Sequence, residues 1–154
     1  MILTTSRKPS RKTRSFAKVL ARFTNWLYVN RGKMSLEDIR RLSEDFVIVS
    51  EMRANPSALY FYRKGKPFLT IRISVSSVKK VKISNEPAIF IGKAPFEPTL
   101  INALPQTSAA LKLLRKVDFP KKIIVKDNKL KFYYKNNLIF ILKLFSVERL
   151  NYKN

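Results

Sequence analysis

Leu59-Tyr60-Phe61-Tyr62, then Arg63-Lys64-Gly65-Lys66, then Phe68-Leu69-Thr70-Ile71-Arg72-Ile73-Ser74-Val75: the chain alternates, turns, and alternates again. Period-two patterning on both sides of a Gly-containing turn predicts a β-hairpin. Leu59 and Phe61 share one face of the first arm, leaving Tyr60 and Tyr62 on the other. Leu69, Ile71 and Ile73 point inward from the second arm, with Thr70 and Arg72 opposite. About 71 residues later the pattern returns as Leu130-Lys131-Phe132-Tyr133 and Phe140-Ile141-Leu142-Lys143-Leu144, around Asn136-Asn137. The agreement of turn, strand length and the Arg72/Lys143 position argues for duplication. The expectation is a single mixed α/β domain over 1–154. It would consist of two pseudo-symmetric halves, about 1–80 and 81–154, each a small mixed sheet with helices.

Working outward, Ile2-Leu3-Thr4 reads as a strand and Ser6–Ser10 as a turn, with Ser10 a helix N-cap. Phe16, Val19, Leu20 and Phe23 then form one helical stripe, and at 100° per residue Arg11, Arg14, Lys18 and Arg22 fall on the opposite face. Trp26–Val29 is a second strand, closed by Asn30-Arg31-Gly32. Ser35-Leu36-Glu37-Asp38 has the form of a capping box, with Leu36, Ile39, Leu42 and Phe46 as the buried side. Phe46–Val49 is a continuous apolar run, as for a strand covered on both faces. In the second half, Ala88–Ile91 is a strand and Pro98–Pro105 a loop or broken helix. Thr107 or Ser108 caps a helix through Leu111, Leu114 and Val117, and Ile123–Val125 is a buried strand.

Charge restricts function. Thirty-two Lys and Arg against ten Asp and Glu give +22 over 154 residues. Such self-repulsion points to a polyanionic partner, nucleic acid before an anionic membrane. Thermal adaptation, which also enriches Lys, normally brings Glu with it for ion-pair networks. Nine cations precede the first acid, Glu37, and five of them are Arg, whose planar fork grips phosphate. From Lys121 onward only Arg149 is Arg, and those lysines read as a general field and a solubility device. An ordinary solvated helix face is mixed in sign; the Arg11/Arg14/Lys18/Arg22 face has no acid.

Catalysis has little to work with. The chain has no His and no Cys, removing the usual general base and thiolate metal sites, and only three Gly, too few for a phosphate-cradling loop. Glu37, Asp38, Glu44 and Asp45 cluster, but helix-dipole complementation and solvation explain most of this, ahead of a paired-carboxylate site. No cofactor, metal or small-molecule substrate is implied. A charged leader and a run of about 20 apolar residues are both lacking, so a soluble, cytoplasmic protein is expected. Phe16, Val19, Leu20 and Phe23 would suit a membrane surface, but the core needs them.

Leu3-Thr4-Thr5-Ser6-Arg7-Lys8-Pro9-Ser10, then Asn30-Arg31-Gly32, then Glu51-Met52-Arg53-Ala54-Asn55-Pro56 ahead of the hairpin together resemble the Brix domain, most closely its compact archaeal members. The resemblance implies a fold akin to the anticodon-binding domain of class II aminoacyl-tRNA synthetases. It also implies a non-catalytic role in ribosome biogenesis: ribosomal RNA processing and subunit assembly, with ribosomal RNA or its precursor as partner and other ribosome-assembly proteins beside it. A structural ribosomal protein or another basic RNA chaperone is the competing expectation. The candidate RNA-binding residues are Arg7, Lys8, Arg11, Arg14, Lys18, Arg22, Arg31, Lys33 and Arg53. Tyr60, Tyr62 and Tyr133 are candidates either to stack unpaired bases or to pack under helices.

Overall fold

The computed structural model describes residues 1–150, without the side chain of Leu114. The apolar run at Phe46 becomes β3 (Phe46–Met52), which lies parallel to β1 (Ile2–Thr5) from Ile2↔Phe46 to Thr5↔Val49. Both strands are buried there, as a strand covered on two faces must be. The two-residue β2 (Leu27–Tyr28) extends this edge in parallel with β1. On the other side follow β4 (Asn55–Arg63) and β5 (Lys66–Val75), both antiparallel. In the second half β6 (Ile89–Ile91) runs parallel to β7 (Lys121–Lys126). From β7 the sheet continues antiparallel into β8 (Lys129–Tyr134) and β9 (Asn137–Arg149).

These strands form one nine-stranded sheet, in the order β2-β1-β3-β4-β5-β9-β8-β7-β6, and not the two small sheets expected. The seam is the antiparallel pairing of β5 with β9, from Leu69↔Arg149 to Val75↔Leu142. The inward faces of the two hairpins left Ile71, Ile73, Leu142 and Leu144 on the same side, so joining the edges makes one apolar floor. Register repeats between the hairpins. Phe61↔Leu69 and Leu59↔Ile71 have counterparts in Phe132↔Phe140 and Leu130↔Leu142, with a bulge after Phe61 and another after Phe132. Both turns use two left-handed residues, Lys64-Gly65 and Lys135-Asn136, one residue earlier in the second turn than its sequence suggested.

Helix α1 (Arg11–Thr24) crosses the floor with Phe16, Val19, Leu20 and Phe23 buried. Phe16 meets Phe140 edge-on at 5.4 Å, and Phe23 meets Phe132 at 5.0 Å. The N-terminal helix is therefore seated on the C-terminal hairpin, and one apolar cluster contains residues of both halves. On the opposite face, α2 (Leu36–Leu42) buries Ile39 against Ile2, Phe46 and Ile48, with Tyr60 and Tyr62 packed alongside. Leu42, expected inside, is 56% exposed because this seven-residue helix ends at Ser43 after one buried contact. Helix α3 (Ser108–Lys116), capped by Thr107, shares a small cleft with β6 through Ala110 and Leu111. Its predicted core residues Leu111 and Val117 are each 48% exposed, since a three-residue edge strand offers too little sheet to cover them, and the Leu114 side chain lies outside the described residues.

Lys121 fixes α1 from below. Its side chain is fully buried, and Nζ donates to the carbonyls of Arg22 (3.1 Å) and Phe23 (3.2 Å) and to Asn25 Oδ1 (3.0 Å). The two carbonyls are orphan acceptors at the C-terminal end of α1, where Asn25 adopts the left-handed cap conformation. Burial lowers the Lys121 pKa to about 8, against the pull of Glu86. Lys121→Met leaves the helix carbonyls without this donor and should cost about 2–4 kcal/mol in urea unfolding. An unfolded lysine titrates near 10.4. Between about pH 8 and that value the unfolded chain holds more protons at this site, so the Lys121 contribution rises with pH across the window. The K121M variant should lack this rise when urea midpoints are compared at pH 7.5 and 9.5.

Candidate nucleic-acid interface

The N-terminus of α1 consumes the acid nearest the basic helix. Ser10 caps it, its hydroxyl accepting from Thr13 N and donating to Ala54 O at 2.8 Å. Ser10 N and the Thr13 hydroxyl donate to the Glu51 carboxylate. Burial pushes the Glu51 carboxyl up, but the bonds from Thr13 and Ser10 outweigh it and hold the group below the ordinary glutamate value. Lys12 Nζ reaches Asn55 Oδ1 at 2.8 Å. Arg53 and Ala54, both at positive φ, turn the chain so that Glu51, Ala54 and Asn55 all meet the start of α1. The Glu51–Pro56 string thus docks and orients the helix.

Arg31 has a comparable structural task. It is 7% exposed; Nε donates to Met34 O at 2.8 Å, and Nη1 to Thr5 O at 3.1 Å. Burial first, and Arg7 second, lower its pKa, while Tyr62 opposes them. Arg31 therefore ties the Asn30-Arg31-Gly32 turn to the end of β1 and is not part of an exposed cationic face. Arg7 is exposed, with Nε 3.4 Å from Met34 O, and Lys8, Lys33 and Arg53 are exposed as well.

Arg11, Arg14, Lys18 and Arg22 are all exposed, and by the 1.5 Å helical rise they extend over about 16 Å of α1. They line one wall of a groove of about 590 Å³, with Ser15 and Val19. The other wall is Lys80, Val81 and Lys82, from the 76–87 segment between β5 and β6. That segment is held by Ser76 N and Lys79 N donating to Ile141 O and Ile139 O, both at 3.0 Å, and by Val78, Val81 and Ile83 packing against the core. Among the described residues, six cations line the groove and no carboxylate does. A second groove of about 500 Å³ continues past Arg11, Lys12 and Lys80. Arg7, Lys8, Arg31, Lys33 and Arg53 line neither groove, so the predicted nine-residue patch divides. Lys80 and Lys82 were missed; the run Lys79-Lys80-Val81-Lys82 was visible, but nothing local places it beside α1.

Three of the four clustered carboxylates, those of Glu37, Asp38 and Asp45, make local bonds. Asp38 completes the capping box, accepting from Ser35 N at 2.9 Å, and that bond leads the causes that keep its carboxyl below the usual range. Glu37 pairs with Arg40 at 2.9 Å, and Asp45 accepts from Lys64 N at 3.0 Å. Among the described residues, ion pairs join Arg40–Glu37, Arg41–Asp38, Arg72–Glu148 and Lys122–Asp118, none of them on the α1 face. Tyr60 and Tyr62 pack against the α2 cluster, and Tyr62 stacks on Phe46 at 4.4 Å, which occupies two of the three stacking candidates; Tyr133 is half-buried. No helix among the described residues is long and apolar enough to cross a membrane.

Glu51→Gln keeps the shape of the cap but removes its charge. It should lower stability at pH 7 by about 1–2 kcal/mol, measured as the shift in urea midpoint. Because the folded carboxyl titrates below its unfolded value, wild type should lose this advantage as pH falls through the folded pKa, converging on E51Q at acidic pH.

No family model matches the chain. It is 51% identical to a probable Brix domain-containing ribosomal biogenesis protein of Archaeoglobus fulgidus, over 96% of this chain and 97% of that one. It is 33% identical to a protein of the same description from Methanococcoides burtonii, over 100% and 95%. The crystal structure of Mil, an archaeal Imp4-like protein, superimposes with a TM-score of 0.65 and 25% identity, covering 97% of this chain and 99% of that one. Identity at this level along nearly the whole length, on the same fold, places the chain in the family of archaeal Brix domain-containing ribosomal biogenesis proteins.

Proposed function

We propose that this protein is a non-catalytic RNA-binding factor of ribosome biogenesis, acting in the cytoplasm on ribosomal RNA or its precursor, alongside other assembly proteins. The observation that carries this reading is the groove between α1 and the 76–87 segment, where, among the described residues, six cations face each other without a carboxylate. Two opposed walls can neutralise a phosphate backbone from both sides, and guanidinium forks on one wall add bidentate grip. The groove has a rigid foundation, since α1 is locked by aromatic packing, by the Glu51 cap and by Lys121. Its relatives' description as ribosomal biogenesis proteins supports the choice of ribosomal RNA. The absence of His and Cys from the sequence supports a binding role over catalysis. The exposed Arg7, Lys8, Lys33 and Arg53 extend the field that draws RNA toward the groove, and phosphate contacts of this kind fix position and orientation, not sequence.

The two halves, about 1–80 and 81–154, belong to one domain and are related by pseudo-symmetry, in the manner of the anticodon-binding domain. The matching hairpin registers and bulges support that reading. So does the strand order, in which a parallel pair, β1–β3 in one half and β6–β7 in the other, precedes an antiparallel hairpin, the first half carrying β2 as an additional edge strand.

If six to ten phosphates are engaged, a fourfold rise in salt should lower affinity for a precursor ribosomal RNA transcript by about 10³ to 10⁵. Changing Arg11, Arg14, Lys18 and Arg22 together to Gln should reduce the slope of log affinity against log salt by about 3. Filter binding across a salt series measures both. An unchanged affinity and slope in the folded variant would overturn the reading.

A further inference from the structure

The sheet has a second cationic face. Alternation and register place Arg72, Lys143, Lys129, Lys131 and Lys122 on the side opposite α1, because Ser74 pairs with Lys143, Lys143 with Lys129, and Lys131 with Ile124. In the first half this side of the sheet is covered by α2; in the second half Lys129 and Lys143 are exposed and Lys131 and Tyr133 only half-buried. Arg72 is 3.5 Å from Glu148, and Lys122 is 3.6 Å from Asp118. Lys129 and Lys143 stand directly opposite each other, a like-charge cross-strand pair that costs stability in the free protein.

Beside them sits an exposed ring. The β5–β9 register shifts between Arg72 and Ile73: Leu144 pairs with Ile73 and Ser146 with Arg72, so Phe145 is the extra residue of a bulge. Bulges of this type re-aim a side chain. Phe145 is 62% exposed, and Lys143 Nζ lies 5.4 Å from its ring centroid. A large aromatic held in solvent among cations is the combination that single-stranded nucleic acid uses, the ring for a base and the ammonium groups for the backbone.

We propose that this face is a second polynucleotide surface, taking unpaired RNA with a base stacked on Phe145 and phosphates against Lys129, Lys131 and Lys143. The proposal rests on the RNA-binding reading above and adds to it. The α1 groove holds phosphates irrespective of base pairing, whereas this face requires a free base, so one molecule joins two segments of RNA.

The test uses the whole protein, an oligouridylate of about ten nucleotides and a blunt RNA duplex of the same length. Phe145→Ala should lower oligouridylate affinity by about tenfold and leave duplex affinity unchanged. In Phe145→Trp, saturating oligouridylate should quench the added indole emission, and the quench should survive the Arg11/Arg14/Lys18/Arg22 glutamine changes that weaken duplex binding. Both substitutions fall on an exposed side chain, so folding is preserved. Unchanged emission from the F145W variant together with unchanged F145A affinity would sink this proposal while sparing the groove, provided duplex affinity still depends on α1. Equal quenching by an oligoglutamate peptide would also overturn it, by showing that an acidic protein segment is the occupant.

Discussion

The seating of α1 on the C-terminal hairpin is the constraint from which the rest follows. Phe16 and Phe23 insert against Phe140 and Phe132, which themselves stack at 4.2 Å, so a helix encoded in the first 24 residues finds its floor more than a hundred residues later. Edge-to-face pairs of this type add to the burial of the rings themselves. Once the aromatic stripe is committed downward, helical periodicity leaves Arg11, Arg14, Lys18 and Arg22 outward with no freedom to do otherwise. The same seating brings α1 alongside the 76–87 crossover and so creates the groove.

Polar groups finish the fit of that helix. Its N-terminal amides meet Ser10, and the adjoining Ser10 and Thr13 donors meet Glu51, while its C-terminal carbonyls meet Lys121. Several of the few acids are committed locally, Glu51 and Asp38 to caps, Asp45 to the Lys64 amide and Glu86 to Ser84. Among the described residues, none of these carboxylates lines the groove, which is lined by six cations.

The strings that carry the family resemblance are, in three dimensions, one assembly. Arg31 bonds Thr5 O, Glu51 receives Ser10 and Thr13, and Ala54 O receives the Ser10 hydroxyl. Segments far apart in sequence converge on the loop between β1 and α1. Glu51 and Ala54 orient the start of the helix, while Arg31 ties its turn to the end of β1.

Local pattern was enough to determine the hairpins, the caps at Ser10 and Ser35, the α1 stripe and its cationic face, and to narrow the third cap to Thr107 or Ser108. Those features depend on periodicities of two and 3.6 residues and on side chains bonding three residues away. What the sequence left open were the features set by distant partners. The β5–β9 seam merged two expected sheets into one, the short edge strand β6 left Leu111 and Val117 exposed, and Arg31 was drawn inside by the Thr5 and Met34 carbonyls. Lys80 and Lys82 joined the α1 cations only because the crossover packs beside that helix. A charge can be read from one residue, but its neighbours across a groove are set by the closing of long loops, and no local spacing encodes that closure.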